Sequence, residues 1–147
     1  MTNEIERTAT PWEENKKGVA DALYQILSVD MAKALEWVEC LNSFSEEPLK
    51  VKRESGEAGV LLKVLGKDCR INFTKSLAEG TVSIGVIYDD GFLFQDCTAR
   101  GRLTGVELHK EKDESLLFPF EGGKVLGITK DNVSGTWHVN MRETKRT

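Results

Sequence analysis

The sequence predicts an α+β protein in which an N-terminal helix or helix pair packs on a curved, mainly antiparallel sheet, a meander that closes at most into a partial barrel. Three observations carry that expectation. Apolar residues recur at three- and four-residue intervals between positions 11 and 44, the period of a helix face. From Leu49 onward they alternate in short runs separated by turn residues, as strands do. The composition, 39 % apolar and 30 % charged with 13 glycines and 3 prolines, is that of an ordinary globular chain. A length of 147 residues is most simply one domain with its own core.

The first helix has a start written three ways. Thr10 is placed to cap, Pro11 stands where its missing N–H is harmless, and Glu13 completes a capping box. Val19, Ala22, Leu23, Ile26 and Leu27 then form a stripe, with Gly18 a defect of about 1 kcal/mol relative to alanine. Asp30 interrupts the pattern. In an unbroken helix it falls among Val19, Leu23, Ile26, Trp37 and Leu41, where a carboxylate must be paired, hydrogen-bonded or neutral. If the chain turns at Ser28-Val29, Asp30 instead becomes the N-cap of a second helix, and Met31, Ala34, Leu35, Val38 and Leu41 make a fresh stripe. The expectation is the break, ahead of a continuous helix with Asp30 at its surface or in an ion pair and of a buried functional carboxylate at Asp30. Asn42, Ser43 and Pro48 close the helical segment, 11–44.

Nine strands follow, near Leu49–Glu54, Val60–Leu65, Cys69–Thr74, Thr81–Tyr88, Phe92–Cys97, Arg102–His109, Ser115–Phe120, Val125–Thr129 and Gly135–Met141. Asp90-Gly91 is the strongest hairpin turn, Gly66-Lys67 a second, and the EGG and KDNVSG stretches are looser connections. The sheet segment is 49–141, with residues 1–10 and 142–147 as flexible ends.

A net charge of −4 argues against a nucleic-acid partner, since phosphate backbones are held by cationic side chains. The acidity lies in the N-terminal part: residues 1–58 carry 12 acids and 7 bases, the remainder 12 acids and 13 bases. MTNEIERTAT has no apolar export region, and no window approaches the roughly 18 apolar residues of a membrane span. Cys40, Cys69 and Cys97 fit neither a disulfide framework nor zinc spacing, so a reducing cytoplasm is expected. The sequons at Asn72 and Asn132 are then chance matches.

Candidate chemistry is sparse. Cys97 with His109 or His138 would be a thiol and its base, although their separation in sequence does not place them together. Asp89, Asp90 and Asp96 surround a hairpin without the spacing of a calcium loop. GVLLKVLGKD is no phosphate loop, for six residues separate its glycines and Asp68 stands where a Ser or Thr belongs. Arg100 and Arg102, beside glycines, could hold an anion or a partner's carboxylate. His138 and Asn140 share a polar strand face that lines a cavity or meets water. Leu116, Phe118 and Phe120 form the most apolar run of the strands, and Pro119 pushes it to a sheet edge or strand end, where a second molecule could cover it.

These features predict a non-enzymatic, cytoplasmic interaction domain that binds a protein partner or itself as a homodimer. The alternative is a small-ligand-binding domain with a pocket between the helices and the curved sheet; the third is a small enzyme without a local motif. No cofactor, metal, nucleic acid or membrane is expected.

Overall fold

A computed structural model describes residues 11–76, 80–89, 94–110 and 113–143. The side chains of 11–14, 88, 89 and 94–96 are excepted. Two helices, α1 (Pro11–Leu27) and α2 (Met31–Phe44), precede nine antiparallel strands. The strands are β1 (Lys50–Glu54), β2 (Glu57–Val64), β3 (Lys67–Lys75), β4 (Val82–Asp89), β5 (Phe94–Gly101), β6 (Glu107–Lys110), β7 (Glu114–Pro119), β8 (Lys124–Asp131) and β9 (Thr136–Glu143). The predicted class and meander order hold, but the strands form two sheets, β1 to β5 and β6 to β9, not closed into a barrel.

The helix break falls where Asp30 predicts it. Ser28 takes a positive φ of 59°, a conformation costly for a non-glycine residue, and turns the chain out of α1. Asp30 is extended, with φ −73° and ψ 164°, and its Oδ1 accepts the Lys33 N–H at 2.8 Å. That bond satisfies one of the free donors at the start of α2 and excludes the buried-carboxylate account. Thr10 and the Glu13 side chain lie outside the described residues.

The α2 stripe differs from expectation in one member. Ala34, Trp37, Val38, Leu41 and Phe44 are buried, whereas Leu35 is 43 % exposed. At about 100° per residue the buried set centres near Leu41 and leaves Leu35 roughly 120° around the helix.

Helix α1 packs on β1, β2 and β3; α2 packs on β6 and β7. Inward residues of the first sheet, among them Val60, Leu62, Ile71, Phe73, Ile84 and Val86, join Leu116, Phe118, Leu126 and Ile128 of the second in one buried cluster. Phe73 and Phe118 meet edge to face, 6.1 Å between ring centroids, and tie the two sheets at their inner faces.

The sheets part after Gly101. Residues 102–106, expected as the start of a strand, form a link in which Leu103 bridges Phe120. Thr104 donates both its N–H (2.8 Å) and its hydroxyl (3.0 Å) to the Pro119 carbonyl. Pro119 therefore sits at a strand end, as its missing N–H requires. The β7 strand itself lies between β6 and β8 rather than at an edge.

One turn and one strand end are corrected. The β2–β3 reversal uses Leu65 (φ 49°) and Gly66 (φ 79°), a pair of positive φ values matching a type I′ turn, one residue earlier than Gly66-Lys67. Strand β9 runs on through Arg142 and Glu143, so these residues belong to the sheet and not to the tail. The Asp90-Gly91 turn lies outside the described residues, between the paired Asp89 and Phe94.

A candidate ligand cleft at the helix turn

Between the α1–α2 turn and the end of the first sheet opens a cleft of about 520 Å3. Its apolar wall is Ile26, Leu27, Val29, Trp37, Val82 and Leu103; Ser28, Lys75, Ser76, Gly80 and Thr81 supply the polar part. The helix break creates the opening: because Ser28 turns the chain and Asp30 restarts it, α1 ends short of the sheet rim and leaves Ile26 and Leu27 only part-covered.

Strand β3 supplies the cleft's cation. Cys69, Ile71 and Phe73 alternate toward the helices and are fully buried; the same alternation brings Lys75, exposed at the end of the strand, to the rim of the cleft in register with Val82. Among the described residues the Lys75 ammonium has neither an ion-pair nor a hydrogen-bond partner. Trp37 is 5 % exposed, and its indole N–H likewise has no hydrogen-bond partner among the described residues.

A second, shallower depression of about 320 Å3 lies on the outward face of the second sheet, lined by His109, Asp113, Ser115, Leu117, Thr129, Asn140 and Arg142. Its floor is polar: the Ser115 and Thr129 hydroxyls lie 2.9 Å apart. Leu117 lies over Gly127, where any side chain would clash with its Cδ2 at 2.9 Å.

The sequence-predicted candidates are scattered across this framework. Asn140 lines the outward depression; His138 stands on the same face, half exposed, 3.6 Å from Asp131. His109 faces the same way and contacts Glu107 at 2.9 Å. Cys97 is half buried on the inward face of the first sheet, opposite Val86. A thiol on an inner face of one sheet and imidazoles on the outer face of the other do not make a nucleophile and base. Burial pushes the Cys69 thiol up to about 12, and burial followed by Glu36, Glu107 and Glu39 raises that of Cys40. Neither is activated.

Arg102 pairs with Glu121 at 3.8 Å and lies across Gly80, whose φ of 79° and missing Cβ leave room for the guanidinium. Arg100 is exposed opposite Ser83, its carbonyl accepting from Lys124 at 3.1 Å. Leu116 and Phe118 are fully buried and Phe120 nearly so, which corrects the expected apolar edge. The run is apolar because both its neighbours and α2 cover it. Asp89 and Asp96 have side chains outside the described set, and Asp90 lies outside it altogether. Among the described residues no three His, Cys, Asp or Glu side chains gather to hold a metal, and no helix is long and apolar enough to cross a membrane.

Sequence reasoning expected, as its alternative, a pocket between the helices and the sheet, but none of its candidate site residues lines this cleft. Comparison with family models, curated proteins and solved structures finds no match for the chain.

Proposed function

We propose that the protein is a small-ligand-binding domain whose site is the cleft between the α1–α2 turn and the rim of the first sheet. The observation that carries this reading is the cleft itself: about 520 Å3, walled by six apolar side chains with a few polar groups at one side. Small-molecule sites have this character, with apolar surface for affinity and a few polar groups for orientation. The site lies at the junction of two layers, where packing of a helix turn against strand ends leaves space that side chains do not fill.

The expectation of a domain that binds a protein partner or itself drew its named surface from Leu116, Phe118 and Phe120. With those side chains in the core it loses its apolar surface and keeps only the polar candidates Arg100, Arg102, His138 and Asn140, so the ligand reading takes precedence. Three free cysteines support a reducing, cytoplasmic setting for it.

The test is a titration with 1-decanol, an uncharged apolar probe, followed by backbone amide NMR. Shifts clustered at Leu27, Val29, Trp37, Val82 and Leu103, lost when Val29→Trp fills the mouth, are expected. Shifts scattered over the surface, or unaffected by Val29→Trp, would show that the cleft is not a site.

A further inference from the structure

We propose that the ligand of this cleft is an amphipathic anion, with an apolar body against Trp37, Val82 and Leu103 and a single carboxylate-type head at Lys75. The inference rests on the cleft being a ligand site and adds the chemistry of its occupant.

Charge decides the class. Among the described residues that line the cleft Lys75 is the only charged one. A cation beside an apolar wall attracts an anion more strongly than it would in open water, because the protein side of the contact is less polarisable than solvent.

Two lysines make the contrast. Lys130, on β8, is 8 % exposed and fully occupied: it pairs with Glu114 at 3.2 Å and lies 4.5 Å from the Phe44 ring centroid. Lys75, at the end of β3 in register with Val82, is exposed and has no partner among the described residues. Its ammonium, at the rim of an apolar cleft, is open to an anion that arrives from outside. Trp37 also lines the cleft, and its indole N–H, a donor and never an acceptor, has no hydrogen-bond partner among the described residues. An ammonium and an indole N–H suit a carboxylate head, which accepts only.

The occupant also needs an apolar body. Ile26, Val29, Trp37, Val82 and Leu103 offer it surface, and a small hydrophilic anion such as acetate would leave that surface in contact with water. An alkyl or aryl carboxylate satisfies both halves.

The experiment compares three probes of equal chain length, decanoate, 1-decanol and decyltrimethylammonium, on wild type and Lys75→Met, read by amide NMR and calorimetry. Decanoate should bind about five- to tenfold more tightly than 1-decanol, although it is the less hydrophobic of the two, because only it gains a charge-assisted bond. Lys75→Met should remove that advantage and leave 1-decanol within about twofold, the ratio being a direct measure of the lost interaction. Decanoate affinity should fall with added salt while that of 1-decanol should not. Equal binding of decanoate and 1-decanol, indifferent to Lys75→Met, overturns the anionic head and leaves the cleft reading standing. Tighter binding of the ammonium probe does the same. Absence of shifts at Val29, Trp37 and Val82 with all three probes overturns both.

Discussion

The Lys130 ammonium stands 4.5 Å from the centroid of the Phe44 ring, joining β8 of the second sheet to the last turn of α2. Its other contact is Glu114 at 3.2 Å, with both side chains mostly buried. The ring face and the carboxylate together replace the water that a lysine at 8 % exposure has lost. The two ends of the arrangement should respond differently to mutation. Glu114→Ala leaves the ammonium with the ring alone and should destabilise by about 1–3 kcal/mol. Lys130→Met removes the charge, keeps the packing on Phe44, and should fall within about 1 kcal/mol of wild type. Urea unfolding of both variants checks the asymmetry.

Glu46 holds the β2–β3 turn from outside its own strands. Its two carboxylate oxygens accept the N–H groups of Leu65 at 2.8 Å and Gly66 at 3.0 Å, the two residues of positive φ. Leu65 is a poor occupant of that conformation, so the turn depends on this clamp. Ser45 completes it, its hydroxyl accepting the Lys63 N–H at 3.1 Å. Glu46→Ala should lower the thermal midpoint by about 2–4 °C. Leu65→Gly, which removes the backbone strain, should reduce the effect of Glu46→Ala when the two are combined; equal effects in either background would show that the clamp is not what holds the turn.

Local chemistry was legible in the sequence and pairing geometry was not. Asp30 could be read as a cap because its job is done within three residues, by an oxygen meeting the Lys33 N–H. The alternation of Cys69, Ile71 and Phe73 names the inward face of β3 without knowledge of any neighbour. The run Leu116 to Phe120 was misread as an edge because apolar character does not reveal whether a strand has one partner or two. Here β6 and β8 flank it. The division into two sheets turns on Leu103 reaching Phe120, a contact across residues far apart in the chain. The cleft needs the helix turn, the β3 end and Leu103 together, so no local pattern could announce it.

The thiols give a test of burial. Cys69 is fully buried and its thiol is pushed up to about 12, so almost none of it is thiolate at pH 8. Its alkylation should be negligible in the native protein and appear only with unfolding. Phe73→Leu, which loosens the core beside it, should speed Cys69 labelling by raising the open population while leaving m nearly unchanged. Mass-spectrometric mapping of iodoacetamide adducts in rising urea measures this. Rapid labelling of Cys69 in native buffer would contradict its place in the core.

Asp131 should make the β8–β9 turn weaken in acid. Its Oδ1 accepts the Val133 N–H at 3.0 Å and the Ser134 N–H at 3.2 Å, folding the carboxylate over the turn that Gly135 closes with a φ of 75°. The bonds from Ser134, then those from Val133 and His138, hold its carboxyl below the usual carboxylate range. A group whose pKa is lower folded than unfolded binds its proton more readily in the unfolded chain, so falling pH favours unfolding through it. Its contribution is fully present above the unfolded carboxylate value of about 3.9, and is lost as pH falls through the lower folded value. The stability difference between wild type and Asp131→Asn should therefore be constant from neutral pH down to about 5 and shrink below that. His138→Gln removes the most distant of the four interactions and should narrow the difference without abolishing it, since the Ser134 and Val133 amides remain. Thermal unfolding of the three proteins from pH 7 to pH 2.5 measures the profile, and a difference that persists unchanged to the acid end would mean that the ionised carboxylate is not what holds the turn.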